Sequence, residues 1–151
     1  MKLTIHVKML ALTLAVMLLC TACAARTPVS AEEFEAQATA AGFEVQAPNV
    51  DSGAYVSART AYDKTIDMQI DFAVCKDQQT ATTTYNSLKD YMGSPQNAKT
   101  SNVDSAAYSK FTMENGELYF VLTRIEDTVF YGSGKLAQRS KMDELIQAIK
   151  Y

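Results

Sequence analysis

The chain has 151 residues, 48% of them hydrophobic and 21% charged, with a formal net charge of −3. That length supplies one hydrophobic core and leaves no room for a large second one. The acidic balance argues against nucleic acid as a partner, because a polyanionic backbone would repel it, and no basic stripe with interleaved aromatics counters this.

Residues 1–22 read as a secretory signal. Lys2 and Lys8 mark the basic start, residues 9–20 form an apolar run, and small residues surround Cys23. The apolar run is too short to span a bilayer, which needs about 20 residues. The order Thr21, Ala22, Cys23 resembles the lipobox of bacterial lipoproteins, with Cys20 standing where Leu is usual. The resemblance implies that Cys23 becomes the lipid-modified first residue of the mature protein, held on the extracytoplasmic face of the cell membrane. More than one acyl chain is attached in such proteins, enough for stable anchoring. The competing readings are ordinary cleavage after Ala22 or Ala25, which releases a secreted protein, and an uncleaved N-terminal anchor. Without Lys2 and Lys8 the chain keeps 12 basic residues against 17 acidic ones, a net charge of about −5. An anionic lipid surface repels that charge, so the lipid must supply the membrane affinity. Residues 23–29 form a tether, and the six residues after Cys23 reach only about 20 Å when extended. Residues 30–151 form a single domain.

The first helix begins with a capping box, Ser30 as N-cap and Glu33 three positions on, with Val29 and Phe34 placed as a hydrophobic staple. Phe34, Ala38 and Ala41 form its apolar stripe, and Gly42 followed by Phe43 suits a left-handed stop. Residues 48–53 read as a loop and residues 55–62 as a loosely alternating strand. Asp63, Lys64 and Thr65 turn the chain. Ile66, Met68, Ile70, Phe72 and Val74 then alternate with Asp67, Gln69 and Asp71, the cleanest strand pattern present. A second helix starts at Asp77, with Ala81, Tyr85, Leu88 and Met92 on one stripe, and stops at Gly93 and Pro95. Residues 94–105 read as a polar loop. Residues 108–113 and 117–125 pair around Asn115 and Gly116, the dipeptide of a type I′ hairpin turn. Glu126 and Asp127 turn the chain into residues 128–131. Gly132, Ser133 and Gly134 are expected to break the sheet. A last helix, beginning between Lys135 and Ser140 and running to Lys150, presents Met142, Leu145, Ile146 and Ile149 on one face. The order predicts an α+β fold, a single antiparallel sheet of about five strands with three helices packed against it. Helices confined to one face would leave Asp67, Gln69 and Asp71 exposed on the other.

His6, inside the signal, is the only histidine. Ser-His-Asp and Cys-His nucleophilic sites, histidine acid–base work and His-containing zinc sites are therefore excluded from the mature chain. With Cys23 lipidated, Cys75 has no cysteine to pair with and reads as a small buried hydrophobe. Asp67 and Asp71 on one strand face would lie about 13 Å apart, too far for a glycosidase pair or a shared cation. Gly132 to Lys135 is superficially like a phosphate-cradling loop. Val129 stands where the Walker pattern needs Gly, and Leu136 where it needs Ser or Thr. Glu114, Glu117, Glu126 and Asp127 cluster at turns without calcium-loop spacing. No metal site and no cofactor is expected. Tyr55, Tyr62, Tyr108, Tyr119 and Tyr131 suit either half-buried strand positions or a surface for a sugar, peptide or partner.

The lipobox-like start, the helix from Ser30 to Gly42 and Phe43, the Asn115–Gly116 hairpin and the aromatic run from Tyr119 to Tyr131 resemble small uncharacterised lipoproteins of Gram-positive anaerobes. Arg124, Thr128 and Tyr151 match the late pattern of that group. The resemblance implies a location and an α+β domain, and carries no catalytic residue. Arg124, inside an apolar strand, is expected to pair with a carboxylate such as Asp71 or Glu117. The functional expectation is a membrane-anchored, non-catalytic binding module that meets an envelope protein or small ligand through Asp67, Gln69, Asp71 and Arg124. The alternatives are a small-ligand carrier with a pocket between helices and sheet, and a histidine-free hydrolase.

Overall fold

The computed structural model describes residues 26–151. The signal-like segment and the lipidation candidate Cys23 lie outside the described residues. Within them, α1 (Ala31–Ala40) leads to β1 (Glu44–Gln46), β2 (Tyr55–Asp63) and β3 (Met68–Cys75). Next come α2 (Gln78–Met92), β4 (Lys99–Asp104), β5 (Tyr108–Asn115), β6 (Leu118–Ile125) and β7 (Thr128–Lys135). A 3₁₀ turn (Leu136–Gln138) then leads into α3 (Arg139–Ala148). The fold is α+β, and its strands form one sheet in the order β1-β2-β3-β7-β6-β5-β4. Every neighbouring pair is antiparallel. Two meanders, β1 to β3 and β4 to β7, are thus joined by pairing β3 with β7.

The sheet has seven strands rather than the five expected, for physical reasons. β1 is three residues long, below the length at which alternation can be read. β4 is an edge strand exposed along its whole length, so its sequence carries no buried face. Gly132, Ser133 and Gly134 do not break the sheet: they lie in β7, where all three pair with β6 and Gly132 and Ser133 pair with β3 as well. A Cβ at Gly132 would lie 2.6 Å from Met142 Sδ, so the bare backbone there is what lets α3 settle on the strand. The β5–β6 hairpin pairs Asn115 with Leu118, which puts Gly116 and Glu117 at its centre. Of these only Gly116 has positive φ, +62°, so the turn is of type II′ rather than I′.

The helix termini follow the sequence closely. Ser30 Oγ accepts from the Glu33 N–H at 3.1 Å, and Asp77 accepts from the Thr80 N–H at 2.7 Å. α1 closes in a Schellman motif: Phe43 N–H donates to Ala38 O, and Gly42, at φ +84°, donates to Thr39 O. α3 closes the same way, with Lys150 in the left-handed position at φ +62° and Tyr151 N–H donating to Ile146 O.

The helices occupy both faces of the sheet. On the first face, Phe34 and Ala38 of α1 and Met142, Leu145 and Ile146 of α3 bury against Ile70, Phe72, Val121 and Phe130. Phe34 stacks on Phe72 with centroids 4.7 Å apart. On the second face, Ala81 and Tyr85 of α2 bury against Cys75, Phe111, Leu122 and Val129. The expectation of a bare second face is therefore corrected. Among the described residues α2 covers its centre, and only the part over β2, β3 and the far ends of β7 and β6 stays open.

Candidate binding surface

The open part of the second face is built by strand register. Direct pairing aligns Tyr62, Gln69, Ser133 and Phe120 in one row across β2, β3, β7 and β6. With strands about 4.8 Å apart, the two aromatic ends of this row lie about 14 Å from each other. The next row along the strands is Thr60, Asp71 and Tyr131, which Leu122 continues beneath α2. A third row, Ala58, Ala73 and Val129, runs toward α2 as well.

Asp71 sits at the centre of this surface and is half-buried. Its Oδ1 accepts from Thr60 Oγ1 and its Oδ2 from Gln69 Nε2, each at 2.8 Å. Both donors are neutral. Burial pushes the Tyr131 phenol up from its ordinary pKa; Ser133 opposes this, and the neighbouring Asp71 carboxylate adds to it. Two concavities flank these rows. A groove of about 250 Å³ runs between α2 and the sheet, with Thr60, Asp71, Ala73 and Tyr131 on its floor, Thr84 and Leu88 on one wall, and Pro48 and Val50 on the other. A second depression of about 350 Å³ opens at the far end of the strands, where Tyr62, Asp67, Gln69, Leu118, Phe120 and Ser133 meet. Tyr91, at the end of α2, is 88% exposed.

The residues singled out from the sequence divide. Gln69 and Asp71 stand side by side on the open face. Asp67 does not share their strand: it lies in the β2–β3 turn at φ +55° and reaches only the rim of the far depression. Arg124 is elsewhere and does not pair with Asp71 or Glu117. It is 2% exposed and clamps the β4–β5 turn, donating from Nη2 to Ser105 O (2.9 Å), Ala106 O (3.1 Å) and Ser109 Oγ (3.1 Å). Ser109 Oγ in turn donates to Asp104. This corrects the expected surface, since Arg124 braces the fold instead of facing a partner. Among the strand tyrosines, Tyr62 and Tyr131 border the open face and Tyr55 lines the groove. Tyr119 is buried beneath Arg139 on the first face. Thr60, Phe120 and Ser133 had no signal of their own in the sequence. Thr60 joins the site through the β2–β3 pairing, and Phe120 and Ser133 only because β7 lies beside β3.

Cys75 is buried, and burial pushes its thiol pKa up, as suits a core side chain. Among the described residues no group of three or more His, Cys, Asp or Glu side chains converges for a metal ion. No helix among them is long and apolar enough to cross a membrane.

Comparison with known proteins gives a likeness of fold. No family model and no curated protein matches the chain. Among solved structures, a GTP-binding regulator from Thermotoga maritima superposes with a TM-score of 0.52 at 11% identity, over 82% of this chain and 92% of that one. At that identity the architecture is what the two proteins share.

Proposed function

We propose that the chain is a lipid-anchored, extracytoplasmic binding module whose working surface is the open part of the second sheet face. The observation that carries the binding reading is the row Tyr62, Gln69, Ser133 and Phe120 beside Asp71, an amphipathic aromatic surface that no helix among the described residues covers. Surfaces of this make-up combine contact area with hydrogen-bonding groups. The anchoring reading rests on the lipobox-like Cys23 and draws support from the segment that follows. The Arg26 guanidinium lies 4.3 Å from the Tyr108 ring centroid, and Val29 packs on the core. The chain is thus seated within three residues of Cys23. Tyr108 pairs with Ile125, five residues along β6 from Phe120, which is about 17 Å. A lipid on Cys23 would hold that end of the sheet near the bilayer and point the Tyr62–Phe120 row away from it.

A small-ligand carrier is the second reading, favoured by the groove beneath α2. The hydrolase reading draws less support. Asp71 and Tyr131 are neighbours, but burial moves the phenol further from neutral pH, against the requirement of acid–base catalysis.

The test pairs labelling with crosslinking. Fatty-acid label is expected on the wild type and absent from Cys23→Ser, which should appear in the medium. A photocrosslinker at Gln69 should give one saturable adduct in intact cells that a crosslinker at Ser101, on the edge strand, does not give. Label retained by Cys23→Ser overturns the anchor. Equal adducts from both positions overturn the surface.

A further inference from the structure

We propose that the groove between α2 and the sheet binds a small organic cation, a primary ammonium seated on Asp71 with an apolar stem lying along α2. The inference rests on the binding reading above and adds the charge class of the ligand.

Asp71 carries the negative charge of the groove, and among the described residues no cation pairs with it. The other charged residue on the lining, Arg59, turns its guanidinium to Glu32 and Glu35 of α1 on the first face. Thr60 and Gln69 each donate one hydrogen bond to a different oxygen of Asp71. They fix the carboxylate's orientation without neutralising it, and a carboxylate oxygen offers more than one acceptor site. Acceptor capacity therefore remains for a charged donor, which makes shorter and stronger bonds than a neutral one. The Tyr131 ring stands directly opposite Asp71 in the register, where its face can add a cation–π contribution.

The remaining lining selects the stem. Val50, Ala73, Leu88 and Val129 are apolar. A neutral apolar guest would desolvate Asp71 without replacing the lost water, and an anion would meet its charge directly. Only a cation with an apolar body satisfies both parts of the groove. Its volume of about 250 Å³ lies just below the usual range for ligand pockets, which fits a small amine.

The test uses the full chain in detergent, labelled with ¹³C at alanine and leucine methyl groups, and three guests of equal length: butylammonium, butanol and butyrate. Butylammonium should shift the Ala73 and Leu88 methyl signals saturably, with butanol at least tenfold weaker and butyrate silent. Asp71→Asn should weaken butylammonium at least tenfold, while Glu144→Gln, on the exposed side of α3, should not change it. Ala73→Leu, which fills the floor and keeps the carboxylate, should abolish the response and guards against a folding defect in Asp71→Asn. Equal response to butanol, indifference to Asp71→Asn, or no butylammonium shift in the folded wild type overturns the proposal, even where Gln69 still captures a partner. Amine binding without any Gln69 adduct upholds it and overturns only the protein-partner reading.

Discussion

The backbone N–H of Val29 donates to the phenolic oxygen of Tyr151, 122 positions later, at 3.4 Å. The same phenol lies 2.6 Å from Thr128 Oγ1, whose own proton goes to Ile125 O. Tyr151 therefore donates to Thr128 and accepts from Val29, closing the entry of the first helix onto the end of the last. Its ring packs edge-on against Phe72 at 6.0 Å. Tyr151→Phe keeps that packing and removes both hydrogen bonds. The expected cost is about 1–2 kcal/mol, read from urea denaturation. Amide exchange at Val29 should accelerate in the same variant.

The same burial predicts an alkaline limit. It pushes the Tyr151 phenol from 10.0 to about 12, and Tyr85 and Tyr119 shift likewise. A raised folded value means the stabilisation is complete below pH 10 and lost as pH rises through about 12. Denaturation midpoints should fall across that window. In Tyr151→Phe the fall should be shallower.

An acid limit comes from the other end of the sheet. Lys141, then Thr65, hold the Asp63 carboxyl down from 3.8 to about 2. A lowered folded value stabilises above the ordinary carboxylate range, and the contribution is lost as pH falls through about 2. Asp63→Asn should be less stable than wild type at neutral pH. Its denaturation midpoint should change less than the wild type's between pH 4 and 2, and equal slopes would contradict the pairing.

These contacts show what the sequence carries and what it does not. The capping box at Ser30, the stop at Gly42 and the alternation through β3 are local signals, and each marks the element it suggested. β4 left no such trace, because an edge strand exposed on both sides has no apolar period to display. Gly132 reads as a breaker when taken alone and becomes strand only once Met142 is known to press on it. Asp71 and Gln69 were legible as a wet strand face. Thr60 joins them through the register of the β2–β3 hairpin, whereas Tyr131 and Ser133 depend on the strand order, which pairs residues far apart in the chain.

The contact at Gly132 makes its own prediction. A Cβ there meets Met142 Sδ at 2.6 Å and Val121 Cγ1 at 3.1 Å, both side chains fully buried. Gly132→Val would raise strand propensity and still overpack the first face, at a cost of about 1–3 kcal/mol. Pairing it with Met142→Ala should recover part of the loss, because the shortened side chain vacates the contested space. A double variant no more stable than the sum of the two single effects would show that the two residues do not compete.

Arg124 separates bracing from binding. Its guanidinium is buried without a direct carboxylate partner and holds two carbonyls of the β4–β5 turn together with Ser109. Ser109 passes the interaction to Asp104, so the positive charge is balanced at one remove. Arg124→Met fits the stem of the site and removes every donor, leaving Ser105 O unsatisfied and Ala106 O held by Gln78 Nε2 alone, and the expected cost is about 2–4 kcal/mol. Arg124→Lys retains the charge and loses the planar fork, and should fall between wild type and Arg124→Met. The loss should appear first as faster amide exchange across β4 and the turn at residues 105–107. If Arg124→Met instead leaves denaturation and exchange unchanged while weakening capture at Gln69, the buried guanidinium serves the binding surface after all, and its place as a brace is wrong.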